Sequence, residues 1–335
     1  MRQPFIIFIM LLLFTPCIWA NTLFTDQANV HIFIKRMVKK HHFKEKELVA
    51  LFNTVKIRPQ ILRQIKAPLE ARPWYTYQML FINEWRIRHG MEFWEKHAEA
   101  LKKAEATYGV PASIIVATLG VETKYGQKIG GYRVIDSLSN IAFSHSSRAP
   151  YFRRELEHFL LLTRENHLDP LQVYGSYAGA IGQPQFMPSS YRRFAVNFSK
   201  TGKIDLIHNT TDVIGSIANY YKIHGWKAHQ PVAIPTHTLG NPYLHLSSKG
   251  KDGSSLPIAE LIKYNIVPKT QVAGKKEFVQ LIELQNRYNK EYWLGFHNFN
   301  VIKKYNASDL YALAVFQLSN YLTALRNKLN HVTKD

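Results

Sequence analysis

Hydrophobic positions recur at helical spacing over most of the chain. Between Lys44 and Phe52 apolar residues alternate with mixed charges at a period near 3.6 and predict a helix. From Glu92 to Tyr108 the residues Phe93, Trp94, Ala98, Leu101 and Ala104 fall largely on one side, and Gly109 marks the end of that helix. Pro111 opens the next, where a missing N–H costs nothing, and this helix runs through Ile114, Ile115, Leu119 and Glu122 towards Gly126. Further helices are expected near 152–166 and 211–224, separated by a Gly-, Pro- and Gln-rich connection from Gly175 to Pro188. Residues 229–260 differ in texture: prolines and glycines punctuate short apolar runs such as Val232-Ala233-Ile234, which suggests a small β-containing insert. Helical character is expected to return by Glu277 and again from Ser308 to Leu329. The pattern is that of a mostly α (α+β) protein, with no internal repeat.

The first residues have another purpose. Arg2, the apolar run Phe5 to Phe14 and a small residue at Ala20 read as an export signal over residues 1–20. The run is too short to span a bilayer comfortably. Cys17 is the only cysteine, so no internal disulfide is available. Two forms of the mature chain follow: a soluble one cut after Ala20, which discards Cys17, or one lipid-anchored to the outer membrane through Cys17, a reading that Pro16 disfavours. The formal charge is +19, and loss of residues 1–20, which hold one base and no acid, leaves +18. Such a charge favours polyanions. In an exported protein those are acidic cell-wall polymers and an anionic envelope surface, and no nucleic-acid-binding motif is present. The sequence names no protein partner.

Ile115, Leu119 and Glu122 stand at i, i+4 and i+7, one stripe of a helix whose other stripe members are apolar. A carboxyl there faces desolvation, and near a helix C-terminus it also faces the negative end of the macrodipole. Both favour the protonated acid, the state required of a general acid in glycoside cleavage. From position alone, an ion-paired Glu at a helix end is an equal reading.

Sequence context separates the two. Gly120-Val121-Glu122-Thr123-Lys124-Tyr125-Gly126 resembles the catalytic Glu-Thr/Ser segment of lysozyme-like lytic transglycosylases. The stretch from Gly175 through Gln183-Pro184-Gln185-Phe186-Met187-Pro188 to Tyr191 resembles the membrane-bound lytic murein transglycosylase B family, glycoside hydrolase family 103. Gly215 to Tyr220, His224-Gly225-Trp226, Arg72-Pro73-Trp74, Phe93-Trp94, Tyr151-Phe152 and Lys304-Tyr305-Asn306 continue the resemblance over roughly residues 70–320. It implies a lysozyme-like catalytic core at 106–226. An N-terminal helical domain (21–105) precedes the core, and a small β-containing insert (227–298) follows it. A C-terminal helix (299–335) packs on the helical domain.

The resemblance also implies an enzyme, a periplasmic lytic transglycosylase acting on a peptidoglycan glycan strand. It cuts the β-1,4 bond between N-acetylmuramic acid and N-acetylglucosamine without water and leaves 1,6-anhydromuramoyl ends, with Glu122 as sole catalytic acid/base. A hydrolytic muramidase on the same fold and a catalytically idle wall-binding scaffold are the alternatives. Ser176 and Gln185 are implied substrate contacts, and Tyr151, Tyr220 and Tyr305 match groove positions; Arg148 suits peptide or lactyl carboxylates. Family members often carry a calcium loop after the Met-Pro block. Here its positions one, three, five and twelve are Asn197, Ser199, Thr201 and His208, none of them a carboxylate, while Lys200 and Lys203 oppose a cation. No tight metal site and no cofactor are therefore expected.

Overall fold

The computed structural model describes residues 24–66, 69–238, 255–271, 274 and 277–332. The predicted export signal, Cys17 and the turns from Gly240 to Gly253 lie outside the described residues. The chain forms two compact units, Met1–Lys56 and Ile57–Asp335. The borders expected at 105, 226 and 298 all fall within the second. In the first, a 3-10 turn (Phe24–Asp26) leads into α1 (Ala28–His41) and α2 (Glu45–Asn53). Val30, Phe33, Ile34 and Met37 make the buried stripe of α1, and Phe33 meets Phe52 of α2 edge-on at 5.9 Å.

The second unit is built around one helix with no exposed face. Its helices are α3 (Pro59–Lys66), α4 (Trp74–Phe81), α5 (Glu84–Lys96), α6 (Ala98–Tyr108), α7 (Ala112–Thr123), α8 (Val134–Ala142), α9 (Ala149–Glu165), α10 (Pro188–Phe194) and α11 (Thr210–Ile223). After the sheet region come α13 (His297–Lys303) and α14 (Asp309–Val332), with α12 (Ile258–Lys263) inside it. Every residue of α7 is buried except Glu122, which is half-buried. An all-round apolar helix needs cover on every side. Helices α5, α6, α11 and α14 all pack on it, α14 most extensively. The predicted 92–108 helix is broken at His97, whose φ of −116° and ψ of 23° separate α5 from α6.

Two short strands, β1 (Tyr132–Arg133) and β2 (Tyr174–Gly175), pair beside α8. At the first turn of α8, Asp136 is fully buried and bonds Arg133 (2.7 and 3.0 Å) and Arg58 (3.4 Å), so its charge serves the fold. Glu155 of α9 is likewise consumed: it accepts from the backbone N–H and hydroxyl of Ser189 at the start of α10.

The later part of the unit carries an antiparallel sheet of β3 (Ala233–Thr238), β4 (Ser255–Pro257), β5 (Ile266–Pro268), β6 (Phe278–Gln285) and β7 (Lys290–Gly295), in the order β4-β6-β7-β3-β5. Val279, Leu281, Tyr292 and Leu294 pack with Ile258 and Leu261 of α12. The helix expected from Glu277 is therefore β6, which pairs with β7 from Gln280↔Gly295 to Gln285↔Lys290. The reason is burial on both faces: Ile282 and Leu284 are covered as fully as Val279 and Leu281. A strand covered twice loses the alternation that marks a strand in sequence.

Candidate active site

Helix α7 stops abruptly. Lys124, Tyr125 and Gly126 all take left-handed backbone, with φ of 52°, 60° and 85°, and the Tyr125 N–H closes back on the Leu119 carbonyl at 3.0 Å. Glu122 sits just inside this end. Its neighbours in the motif are the anchors. Thr123 donates to the Gln183 carbonyl (2.8 Å) and accepts from the Gly126 N–H (3.0 Å). Tyr125 lies back against the helix and donates to the Arg86 carbonyl at 2.6 Å. The buried Arg86 guanidinium donates to the Gly120 carbonyl at 2.9 Å and to the Leu80 carbonyl, offering positive charge to the negative helix end. A Cβ at position 120 would lie 2.6 Å from the Tyr125 hydroxyl, so glycine there lets the Tyr125 ring lie against the helix.

The Glu122 carboxylate accepts a hydrogen bond of 2.6 Å from the Tyr311 hydroxyl, on the first turn of α14. Behind it, Tyr221 of α11 meets Tyr311 and holds Thr118 of α7 at 2.9 Å, and Thr118 in turn donates to the Ile114 carbonyl. Tyr305 stacks on Tyr311 at 6.3 Å and packs at 4.8 Å on Tyr220. Burial, reinforced by the negative charge of Glu122, raises the pKa of Tyr221, Tyr305 and Tyr311. The same holds for Tyr220, where Tyr151 also contributes. These phenols stay protonated at neutral pH. Thr118, Tyr221, Tyr311 and Arg86 were not marked by the sequence. A tyrosine on the buried stripe of a helix reads as core, and only its contact across 189 positions distinguishes Tyr311.

The sequence-predicted residues fall in three places. Tyr220 and Tyr305 stand with Glu122, but their hydroxyls are already donated to the carbonyls of Lys304 and, at 2.6 Å, Pro184. Tyr151, at the start of α9, is exposed at its edge, and its pKa is pushed up to about 12 by partial burial and the nearby Glu155 charge. Arg148, next to it, is exposed over the Phe152 ring at 5.3 Å. It lines a cavity of about 590 Å³ with Leu62, Ile65 and Ser144 to Ser147.

Ser176 and Gln185 belong to the Gly-rich connection, which folds back through the bridges Gly175↔Ile181 and Ile181↔Phe186. The Ser176 hydroxyl accepts from the Ala178 and Ala180 N–H groups at 3.3 and 3.0 Å. Gln185, at a left-handed φ of 52°, donates its amide to the carbonyls of Ile129 (3.0 Å) and Gly182 (2.9 Å). With both N–H groups so used, its amide oxygen is the group left to accept.

The loop at Asn197 to His208 has its oxygens engaged internally. Asp212, fully buried, accepts from the N–H groups of Ser199 (2.8 Å) and Asp205 (3.1 Å). Asp205 accepts from Ile207 and His208 N–H groups and pairs with the His208 ring at 3.1 Å. Asn197 takes the Thr201 N–H at 3.1 Å, and Asn209 donates to Ser199 at 3.0 Å. Among the described residues no group of three or more His, Cys, Asp or Glu is arranged to hold a metal.

One half-buried carboxylate thus stands at the end of a buried helix, beside phenols that stay protonated. The transglycosylase SLT domain family matches residues 25–320, and the chain belongs to it. It is 37% identical over 313 residues to membrane-bound lytic murein transglycosylase B of Escherichia coli (strain K12), covering 90% of this chain and 85% of that protein. The crystal structure of the soluble lytic transglycosylase SltB1 of Pseudomonas aeruginosa superposes with a TM-score of 0.79 at 39% identity, over 89% of this chain and 99% of that one. The Escherichia coli lytic transglycosylase Slt35, in its structure with calcium, gives a TM-score of 0.82 at 37% identity, over 90% and 95% of the two chains.

Replacing Gly120 by Ala should force the Tyr125 ring off the helix and destabilise the unit by about 2 kcal/mol, measurable as a lower midpoint in urea unfolding.

Proposed function

We infer that this chain is a peptidoglycan lytic transglycosylase that cleaves the β-1,4 bond between N-acetylmuramic acid and N-acetylglucosamine, with Glu122 as its only catalytic carboxyl. The observation that carries the assignment of Glu122 is its hydrogen bond to Tyr311 at the mouth of an otherwise buried helix. The reaction begins with Glu122 carrying a proton. Glu122 first gives its proton to the glycosidic oxygen as the C1–O bond breaks. The resulting carboxylate then takes the proton of the muramoyl 6-hydroxyl while that oxygen bonds to C1. The cycle returns Glu122 to its starting state, consumes no water and leaves a 1,6-anhydro end. No second carboxylate is called for, unlike in two-carboxylate glycosidases.

The other residues divide the work. The Gln185 oxygen and the Ser176 hydroxyl suit the N–H and hydroxyl groups of a sugar, and the Tyr151, Tyr220 and Tyr305 rings suit its CH faces. Arg148 suits the carboxylates of the lactyl or peptide substituent. Tyr311 is a positioning residue: it fixes the Glu122 rotamer from behind. The chain acts at the cell envelope. Residues 1–20 direct export to the periplasm, and the basic surface holds the enzyme near anionic envelope polymers. The loop from Asn197 to His208 functions without a metal, since hydrogen bonds occupy the oxygens that a cation would need.

Four outcomes test this reading. Glu122→Gln should still sediment with purified sacculi, while cleavage falls by about a thousandfold. Digests by the unaltered enzyme should contain anhydromuramic ends; reducing muramic acid instead would make it a hydrolase, and no release at all would make it a scaffold. Tyr311→Phe should lower kcat by about tenfold and leave KM within about twofold, as expected for a lost hydrogen bond to the reacting carboxyl. Millimolar calcium or a chelator should leave the Tm unchanged, and a clear upward shift with calcium would overturn metal independence.

A further inference from the structure

Away from Glu122, helix α14 carries a stripe that is largely exposed among the described residues. Gln317, Asn320, Tyr321 and Ala324 stand at i, i+3, i+4 and i+7, the spacing of a single helical stripe. The neighbouring positions Leu318 and Leu322 are fully buried, whereas Tyr321 is 52% exposed. With Trp293 of β7 the four residues line a cavity of about 390 Å³, within the size range of small-ligand sites. The Trp293 ring is held from two sides: its indole N–H donates to the Glu291 carboxylate, and it meets Phe316 edge-on at 6.4 Å. Neither the Gln317 nor the Asn320 amide spends a hydrogen bond inside the protein among the described residues.

We propose that Trp293, Gln317, Asn320, Tyr321 and Ala324 form a second glycan-binding site, which takes a neutral, N-acetylated stretch of the strand that Glu122 cuts. The proposal rests on the peptidoglycan reading above. Two aromatic rings provide faces for the CH surfaces of a pyranose. Two open amides provide both donors and acceptors for hydroxyl and acetamido groups. Ala324 keeps the floor low. All five side chains are uncharged, so a carboxylate-bearing stem peptide or an acidic polymer has nothing to pair with here, although the chain as a whole is strongly basic.

Tyr321 is ten residues along α14 from Tyr311, about 15 Å at helical rise. The second site is thus fixed on the same rigid helix that clasps the catalytic acid. For a polymeric substrate, engagement at both points turns the second binding event into an intramolecular one. The enzyme then holds an insoluble strand between successive cuts.

The test uses the full mature chain carrying Glu122→Gln, so that sacculi are bound without being digested. Co-sedimentation with purified sacculi, and calorimetric titration with an N-acetylglucosamine tetramer, compare this parent with Tyr321→Ala, Asn320→Ala and Tyr288→Ala. The last removes another exposed tyrosine, 90% accessible and outside the cavity. Melting curves check that each variant is folded. Tyr321→Ala and Asn320→Ala should weaken sacculus binding three- to tenfold, and Tyr288→Ala should not change it. Parental binding by both α14 variants, or an equal loss in Tyr288→Ala, refutes the site. Since the readout is binding alone, that result leaves the product analysis for Glu122 untouched, and a failure of the product analysis does not affect this comparison.

Discussion

The hydrogen bond from Tyr311 to Glu122 joins two helices that are far apart in sequence and packed together in the fold. Helix α7 is apolar on all sides and can exist only when α5, α6, α11 and α14 enclose it. Enclosure leaves one outlet for a functional group, the C-terminal end. The acid is placed there, and the last helix of the chain supplies its donor. Closing the core and assembling the site are therefore one event: until α14 docks on α7, Glu122 has a helix but not this hydrogen bond from behind.

The surroundings of Glu122 matter as much as its position. Tyr221, Tyr305 and Tyr311 are kept protonated by burial and by the carboxylate charge itself, so these three neighbours are polar yet uncharged. Three other buried acids are committed elsewhere, Asp136 to Arg58 and Arg133, Glu155 to Ser189, and Asp212 to the N–H groups of Ser199 and Asp205. A protonated phenol can steady a carboxyl in either of its protonation states without a counter-charge that would have to be desolvated. One group can thus act first as acid and then as base, which suits a reaction in which a proton leaves Glu122 and another arrives within the same turnover.

The sequence made this helix end legible because its punctuation is local. Gly109, Pro111 and Gly126 mark borders that the backbone must respect. The same segment carried the family resemblance, which singled out Glu122 where position alone could not. What was hidden depends on long-range packing. The strand Phe278–Gln285 was read as helical because both its faces are covered. The stripe through Ile115 and Leu119 is buried as its spacing predicts, and the packing of α5, α6, α11 and α14 buries the rest of α7 as well, Glu122 excepted. Tyr311 looked like one more core aromatic. Tyr220 and Tyr305 were legible as neighbours of the site, but not that their hydroxyls are donated to backbone carbonyls.

The loop that departs from the calcium pattern shows why its hydrogen bonds matter at a distance. Asp212 gathers the N–H groups of Ser199 and Asp205, and Asp205 gathers those of Ile207 and His208. That fixes the backbone at Leu206 and Ile207, whose carbonyls accept from the Gln183 N–H (2.9 Å) and its side-chain amide (3.1 Å). The Gln183 carbonyl in turn accepts from Thr123, the residue after Glu122. Two carboxylates thus stiffen the loop by drawing N–H groups together. Through Gln183 and Thr123 that order reaches the end of α7, so the side chain next to Glu122 is held by a chain of hydrogen bonds that starts at Asp212.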